Sequence, residues 1–292
     1  MIEGMILKGI GGFYYVKTGN EIYECRARGV FREEKITPFV GDIVLIRENE
    51  TDKTGYIEKI YPRKSKLIRP PVANVTQALI VISMKNPDPN LWLLDRFLIL
   101  ARHEGLNTII CLNKIDLVDC KEFNAVKSIY QKAGYKVIAT SPVLNIGIDE
   151  LRDTLRNNIT VFSGPSGVGK SSLLNQVQPN LQLKTGEISD KTKRGKHTTR
   201  HVELLELDNG GYVLDTPGFS SLDIDFIDNA EELKKYFNEI NSVKNQCRFN
   251  SCLHYKEPDC EVKRLVEVGE ISKIRYENYI KFFEEIKNRR RY

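Results

Sequence analysis

Two short runs constrain this 292-residue chain more than anything else in it: "NKID" at 113–116 stands before "GPSGVGKS" at 164–171. The second run fits G-x-x-x-x-G-K-[ST] in full, between a strand-like "ITVFSG" and a helix-like "SSLLNQV". Gly164, Gly167 and Gly169 let main-chain N–H groups turn inward around phosphate oxygens. Lys170 offers a point charge to β- and γ-phosphates, and the Ser171 hydroxyl suits Mg²⁺. The whole loop, Gly164, Pro165, Ser166, Gly167, Val168, Gly169, Lys170, Ser171 and Ser172, opens a helix whose positive end faces the same anion.

"NKID" closes another apolar run, "NTIICLNKID". Asp116 can accept hydrogen bonds from the N1–H and 2-amino group of guanine, a donor pair that adenine lacks. Beside it, Asn113 suits N7 and its own loop, and the Lys114 stem, next to Ile115, can cover the purine face. A third apolar run ends in "DTPG", Asp215 to Gly218. Asp215 can hold Mg²⁺ through water, and the Gly218 N–H can sense a γ-phosphate.

In an ordinary GTPase the phosphate loop comes first and the base reader last. Joining the middle region head to tail restores that order: phosphate loop, "HTT", "DTPG", "NKID", "ATS". The spacing therefore predicts a circular permutation, cut after the "DTPG" strand, with the old ends joined through "GIDELRDTLRNNITVFSG". Such a cut is tolerated where old ends lie close and the new ones fall in a surface loop. It leaves the segment after "DTPG" leading straight into whatever follows it.

The flanks differ in texture. Residues 1 to about 61 alternate in short runs, "GFYYV", "EIYECRAR", "DIVLIRE" and "YIEKIY", split by "TGN" and "VGD" turns, which predicts a small all-β barrel or sandwich. "PRKSKLIRPP" then reads as a linker. From residue 75 strands alternate with helices, "VTQALIVIS", "NLWLLDRFLILARHEG", "EFNAVKSIYQKAG" and "YKVIATS" among them, which predicts a parallel α/β layer. After about 223 strands vanish and helices such as "NAEELKKYFNEI" remain. The expected domains are 1–69, 70–223 and 224–292.

Six cysteines are present, three of them bunched. The N-terminus has an early acid and no long apolar run, so neither a signal peptide nor a membrane span is expected, and the expected location is cytoplasmic and reducing. The bunched residues Cys247, Cys252 and Cys260, with His254, then read as ligands. Three thiolates and an imidazole close a tetrahedral zinc shell, a structural site. The net charge of +5 permits a nucleic-acid partner without demanding one.

With these motifs on one chain, the sequence resembles the bacterial ribosome small subunit-dependent GTPase A family over essentially its whole length. The resemblance rests on the barrel-like N-terminus, "NKID" before "GPSGVGKSSLLN", "GKHTTR", "DTPGF" and "CRFNSCLHYKEPDC". It implies a multidomain α/β protein: an OB-type β-barrel, a circularly permuted P-loop GTPase domain and a C-terminal helical zinc-binding domain. It implies GTP and GDP as substrate and product, Mg²⁺ held through Ser171 and Asp215, and one structural Zn²⁺. It implies a monomer acting late in small-subunit assembly, near the decoding centre. Its partners are the small ribosomal subunit, its rRNA and other assembly factors such as ribosome-binding factor A, and subunit binding stimulates turnover. The rival reading is an RNA-binding assembly factor that uses GTP only as a conformational switch ligand.

For RNA, the N-terminal module offers Arg26, Arg28, Arg63, Lys64, Lys66 and Arg69 with Phe13, Tyr14, Tyr15 and Tyr23, and the tail adds Lys287, Arg289, Arg290 and Arg291. Stacking rings beside basic groups are how OB barrels hold RNA. The competing reading is core aromatics and an ordinary charged surface. "DKTKRGKHTTR" fits a switch loop or a solvated basic face; in the first case Thr198 or Thr199 meets Mg²⁺ and γ-phosphate. Two departures stand out. Phe219 follows Gly218 where many GTPases carry a water-orienting Gln, which leaves His197 as the nearest candidate for that role. The family's second base-contacting loop commonly reads S-A-K or S-S, and its second residue offers a main-chain N–H to guanine O6. Here the loop is "TSPV": Pro142 has no N–H, and Ser141 is the remaining contact.

Overall fold

The computed structural model describes residues 1–49, 51–68, 70–179, 202–214, 219, 222–243 and 246–289. At the N-terminus five strands close a barrel in the order β1-β2-β3-β5-β4. They are β1 (Ile2–Ile10), β2 (Phe13–Thr18), β3 (Glu21–Ala27), β4 (Ile43–Asn49) and β5 (Thr54–Ile60). A short helix, α1 (Val30–Glu33), stands between β3 and β4. Closure comes from β3 and β5 pairing in parallel, and it removes the open edges that an alternating sheet of this size would otherwise expose. The inward residues are apolar: Ile6, Val16, Tyr23, Cys25, Val44, Ile46 and Ile57 are buried together. Tyr23 therefore belongs to the core and is unavailable as a stacking platform. Arg63 is also spoken for, since its Nε and Nη2 bind the buried Asp42 carboxylate at 2.6 and 2.7 Å.

The "linker" is more than that. Its residues form a hairpin, β6 (Lys66–Leu67) with β7 (Val72–Ala73), and Leu67 is buried. Val72 bridges to Val40, and Asn74 Nδ2 donates to the Gly41 carbonyl at 2.8 Å. The run that alternates poorly in sequence is thus stitched onto the barrel.

The middle region is a six-stranded sheet in the order β10-β9-β8-β11-β13-β12. Its strands are β8 (Gln77–Ser83), β9 (Asn107–Asn113), β10 (Lys136–Thr140), β11 (Ile159–Ser163), β12 (Leu204–Glu206) and β13 (Tyr212–Leu214). Five are parallel, and β8 is buried along its whole length, as its uninterrupted apolar run requires. The sixth, β12, pairs antiparallel with β13 at the edge, so the expected all-parallel layer is a mixed sheet. Helices α2 (Leu91–His103), α3 (Cys120–Lys132), α4 (Ile148–Leu155) and α5 (Lys170–Val177) complete this layer. After β11 the chain forms the edge strand β12 and then returns through β13 to the side of β11. The strands β8, β9 and β10 run outward on the other side. Helix α4 lies between β10 and β11, where a standard GTPase would have its ends. The strand order is the one that the permuted motif order predicts.

The C-terminal part is helical. A 3₁₀ segment (Ala230–Tyr236) and helices α6 (Asn238–Asn241), α7 (Glu261–Glu267) and α8 (Lys273–Arg289) share a core with Ile99 and Leu100 of α2. "NAEELKKYFNEI" is thus not one continuous helix. The contact between α2 and α8 is built on charge as well as on apolar side chains. Arg275, 1% exposed, donates from Nη1 to Asp95 Oδ1 at 2.5 Å. Its Nε and Nη2 reach the two oxygens of Glu239 at 2.7 and 3.1 Å. Asn278 Nδ2 donates to the other Asp95 oxygen at 2.7 Å. One position along α2, Arg96 donates to the Leu222 carbonyl at 2.9 Å and pairs with Glu285. On α3 and its end, Lys132 and Ala133 are tied to Gly269 and Asn238.

Candidate nucleotide and metal sites

Both sequence motifs lie at the C-terminal ends of parallel strands. "GPSGVGKS" follows β11 and "NKID" overlaps the end of β9, with β8 between them. β8 and β11 are where the connections diverge in direction, which is the crevice where open α/β sheets bind ligands. The phosphate loop needs its glycines there. Gly164 has φ +136°, and a Cβ on it would come within 2.1 Å of the Val81 carbonyl oxygen of β8. Gly169 has φ +96°, and a Cβ there would meet Asn113 Nδ2 at 2.4 Å.

That second approach shows how the two motifs are joined. Asn113, buried, donates from Nδ2 to the Val168 carbonyl at 2.8 Å and accepts from Thr140 Oγ1 at 3.0 Å. One side chain therefore ties the base-reading strand to the phosphate loop and to β10. Lys114, in the left-handed region at φ 61°, donates to the Gly167 carbonyl at 2.7 Å and to the Asn86 carbonyl. Ile115 and Asp116 begin a 3₁₀ turn (Ile115–Leu117), and Asp116 is exposed with its carboxylate available to a base.

Lys170 donates to the carbonyls of Gly164 and Pro165 at 2.8 and 2.7 Å, folded back over its own loop. Burial lowers its ammonium from 10.5 to about 8. A phosphate in the loop would offer that ammonium the anionic partner it lacks. Ser171 is buried at the first turn of α5, and Ser172 beside it is half-buried. Ser141 is 0% exposed. Its N–H and carbonyl pair with Ile146, and its Oγ accepts from the Leu144 N–H at 3.2 Å, so its main-chain groups are spent within the loop.

Sequence reasoning missed the β8–α2 connection, "MKNPDPN". Asn86, at φ 52°, accepts from Lys114, and a Cβ on Gly167 would touch the Pro87 ring at 3.6 Å. Ser83 Oγ donates to the Pro87 carbonyl at 2.6 Å and fixes this wall. The N-P dipeptide and the P-N pair flag a turn, yet nothing in them points to a phosphate loop far along the chain.

Asp215, Gly218, His197, Thr198, Thr199, His201, Arg69, Arg290 and Arg291 lie outside the described residues. Phe219 is described, and its ring faces the core: it lies 6.3 Å from Phe97 and packs against three separate apolar clusters.

The cysteine group comes together as its spacing suggests. One ligand atom from each of Cys247, Cys252, His254 and Cys260 lies within 4.8 Å of every other. His254 Nδ1 is 3.6 Å from Cys247 Sγ and 3.4 Å from Cys260 Sγ, and the two sulfurs are 4.0 Å apart. A tetrahedral zinc with bonds of about 2.1–2.3 Å sets its ligand atoms roughly 3.4–3.8 Å apart. Burial lowers His254 to about 4, leaving the neutral imidazole that a metal needs. Burial also pushes the Cys252 thiol up to about 12, which a bound divalent cation would reverse. The loop around the group is braced by Glu257, which accepts from the Leu253 and Tyr255 N–H groups at 2.9 Å each. Tyr276 and Tyr279 of α8 donate to the His254 and Leu253 carbonyls at 2.9 and 2.8 Å.

Comparison with known proteins agrees with this geometry. Residues 60–225 match the family described as RsgA GTPase, and residues 3–57 match the RsgA N-terminal domain. The chain is 51% identical to the small ribosomal subunit biogenesis GTPase RsgA of Alkaliphilus metalliredigens, over 100% of both chains. It is 54% identical to the protein of that name from Clostridium novyi, over 98% of this chain and 97% of that one. Among solved structures, YjeQ from Thermotoga maritima superposes with a TM-score of 0.84 at 39% identity, covering 98% of each chain. YloQ, described as a circularly permuted GTPase, superposes with a TM-score of 0.81 at 42% identity, covering 99% of this chain and 96% of that one. Alike along its full length in sequence and in fold, the chain belongs to the RsgA family of circularly permuted GTPases, hydrolases acting on GTP.

Proposed function

We propose that this chain binds the small ribosomal subunit and assists its late maturation, hydrolysing GTP to GDP and phosphate slowly alone and faster on the subunit. The observation that carries the partner is that relatives alike over the whole length, barrel and cysteine module included, bear the name small ribosomal subunit biogenesis GTPase. A barrel face with Arg26 over the Phe13 ring at 4.6 Å and Arg47 over Tyr56 at 5.9 Å supports rRNA as the surface met. Domain boundaries near residues 69 and 223 suit this reading, with the barrel and the zinc module as the two flanking contacts.

In the site, Asp116 accepts from the guanine N1–H and 2-amino group, and Asn113 and Lys114 hold the base pocket to the phosphate loop. Gly164 to Ser172 cradle the phosphates, with Lys170 turning from its own carbonyls to the β- and γ-oxygens. Ser171 and Asp215 hold Mg²⁺, which neutralises charge on the phosphates. Gly218 and Thr198 or Thr199 meet the γ-phosphate. Cys247, Cys252, His254 and Cys260 hold a structural zinc. Slow basal turnover follows from Phe219: its ring packs inward and can neither donate nor accept a hydrogen bond to the attacking water. His197 is the side chain we assign to that water on the subunit. GTP turnover with isolated small subunits, large subunits and neither tests the reading. Stimulation by small subunits alone is expected, and no stimulation by them would reject it.

A further inference from the structure

A guanine whose N1 and 2-amino group face Asp116 turns its O6, the neighbour of N1 on the ring, toward the next strand end. That strand is β10, in register with β9 so that Thr140 lies opposite Asn113, and the loop that follows it is Ser141–Gly147. The main-chain donors of Ser141, Leu144 and Ile146 at this corner are engaged. The Ser141 N–H goes to the Ile146 carbonyl at 3.0 Å, the Ile146 N–H to the Ser141 carbonyl at 3.0 Å, and the Leu144 N–H to Ser141 Oγ at 3.2 Å. Lys114 Nζ is held by the Gly167 and Asn86 carbonyls, and Asn113 Nδ2 by Val168. Pro142, between the spent donors, has no N–H at all.

The loop is also held against rearrangement. Gln176 of α5 donates to the Pro142 carbonyl at 3.1 Å. Behind it, Gly147 sits so close to β10 that a Cβ would fall 1.9 Å from the Ala139 carbonyl oxygen. Val143 follows at the tip, 84% exposed.

We propose that Pro142 is a specificity-determining residue: with no N–H of its own it takes a main-chain donor away from guanine O6, so this enzyme selects its base chiefly on the N1 and 2-amino edge. The proposal rests on Asp116 as the base acceptor. It gives the site a substrate tolerance: guanine nucleotides altered at position 6 but intact at N1 and the 2-amino group are accepted as well as GTP.

The test is equilibrium binding of GTP, 6-thio-GTP and ITP to the full-length protein and to Pro142→Ala. Sulfur at position 6 keeps N1–H and the 2-amino group but accepts hydrogen bonds poorly; inosine keeps O6 and N1–H but lacks the 2-amino group. For the parent, 6-thio-GTP should bind within about twofold of GTP, while ITP should lose about fivefold or more with one of the two bonds to Asp116. Pro142→Ala supplies the missing N–H, so GTP should tighten by roughly three- to tenfold while 6-thio-GTP stays within about twofold of its parent value. A parent that already discriminates against 6-thio-GTP would assign O6 to the Val143 N–H and overturn the proposal. So would a Pro142→Ala protein with unchanged preference. Equal binding of ITP and GTP would instead strike at Asp116, a separate and visible failure.

Discussion

Arg275→Met should detach the C-terminal module from the GTPase sheet. The guanidinium makes three charge-assisted hydrogen bonds, at 2.5, 2.7 and 3.1 Å, to Asp95 and Glu239. Asp95 is 0% exposed and keeps only neutral partners once Arg275 is gone. Removing one member of such a buried pair leaves a bare charge and costs about 3–5 kcal/mol. The case here falls toward the upper end, because one cation serves two carboxylates. Replacing both partners with apolar groups should be much milder, so Asp95→Leu combined with Arg275→Met should regain about 2 kcal/mol or more. The chain carries its own probe. Trp92, its one tryptophan, stacks on Phe282 of α8 at 5.2 Å between ring centroids. Urea unfolding followed by Trp92 emission should show the docking transition moved to lower denaturant in Arg275→Met and partly restored in the double variant. A loss below about 1 kcal/mol, or a double variant no better than Arg275→Met, would refute the role given to this pair.

Three further outcomes follow from the site. Lys170 titrates near 8 in the free protein and should be held charged by bound phosphate, so GDP binding should take up a proton above pH 8 and weaken as pH rises from there. Calorimetry in buffers of different ionisation enthalpy reads the uptake, and a pH-independent affinity up to pH 9.5 would deny the contact. Gly169→Ala should weaken GDP binding by about tenfold or more, because the new Cβ displaces Asn113 from Val168 and the backbone is left-handed there; unchanged affinity would show that the clamp is dispensable. Metal analysis should find about one zinc per chain, and its removal by a chelator should loosen the C-terminal helices, seen in Trp92 emission, while GDP binding persists.

Much of this was legible in the residues. The permutation could be read because the phosphate and base motifs each mark a strand end, so their order in the chain reports the order of the strands. The metal group could be read because four ligands close in sequence need only one loop to meet. Tyr23 could not be placed, since alternation shows that a strand has two faces but not which face a closed barrel turns inward. The 66–73 hairpin escaped because Pro and Lys speak for a linker more loudly than a two-residue ladder speaks for structure. Asp95 and Arg275 read as ordinary charges on amphipathic helices; only the packing of α2 against α8, 180 positions apart in sequence, makes them partners. The Asn86 wall of the nucleotide site was hidden for the same reason.

The strap between α2 and α8 also limits how this enzyme can use its permutation. Leu214 closes a sheet strand, and the Leu222 carbonyl is gripped by Arg96. Helix α2 is a shared beam: Arg96 on it holds Leu222, Phe97 on it meets Phe219, and the loop leading into it lies beside the phosphate loop. The C-terminal helices are bolted to that same beam through Asp95 and Arg96, so the module and one wall of the nucleotide site share a single support.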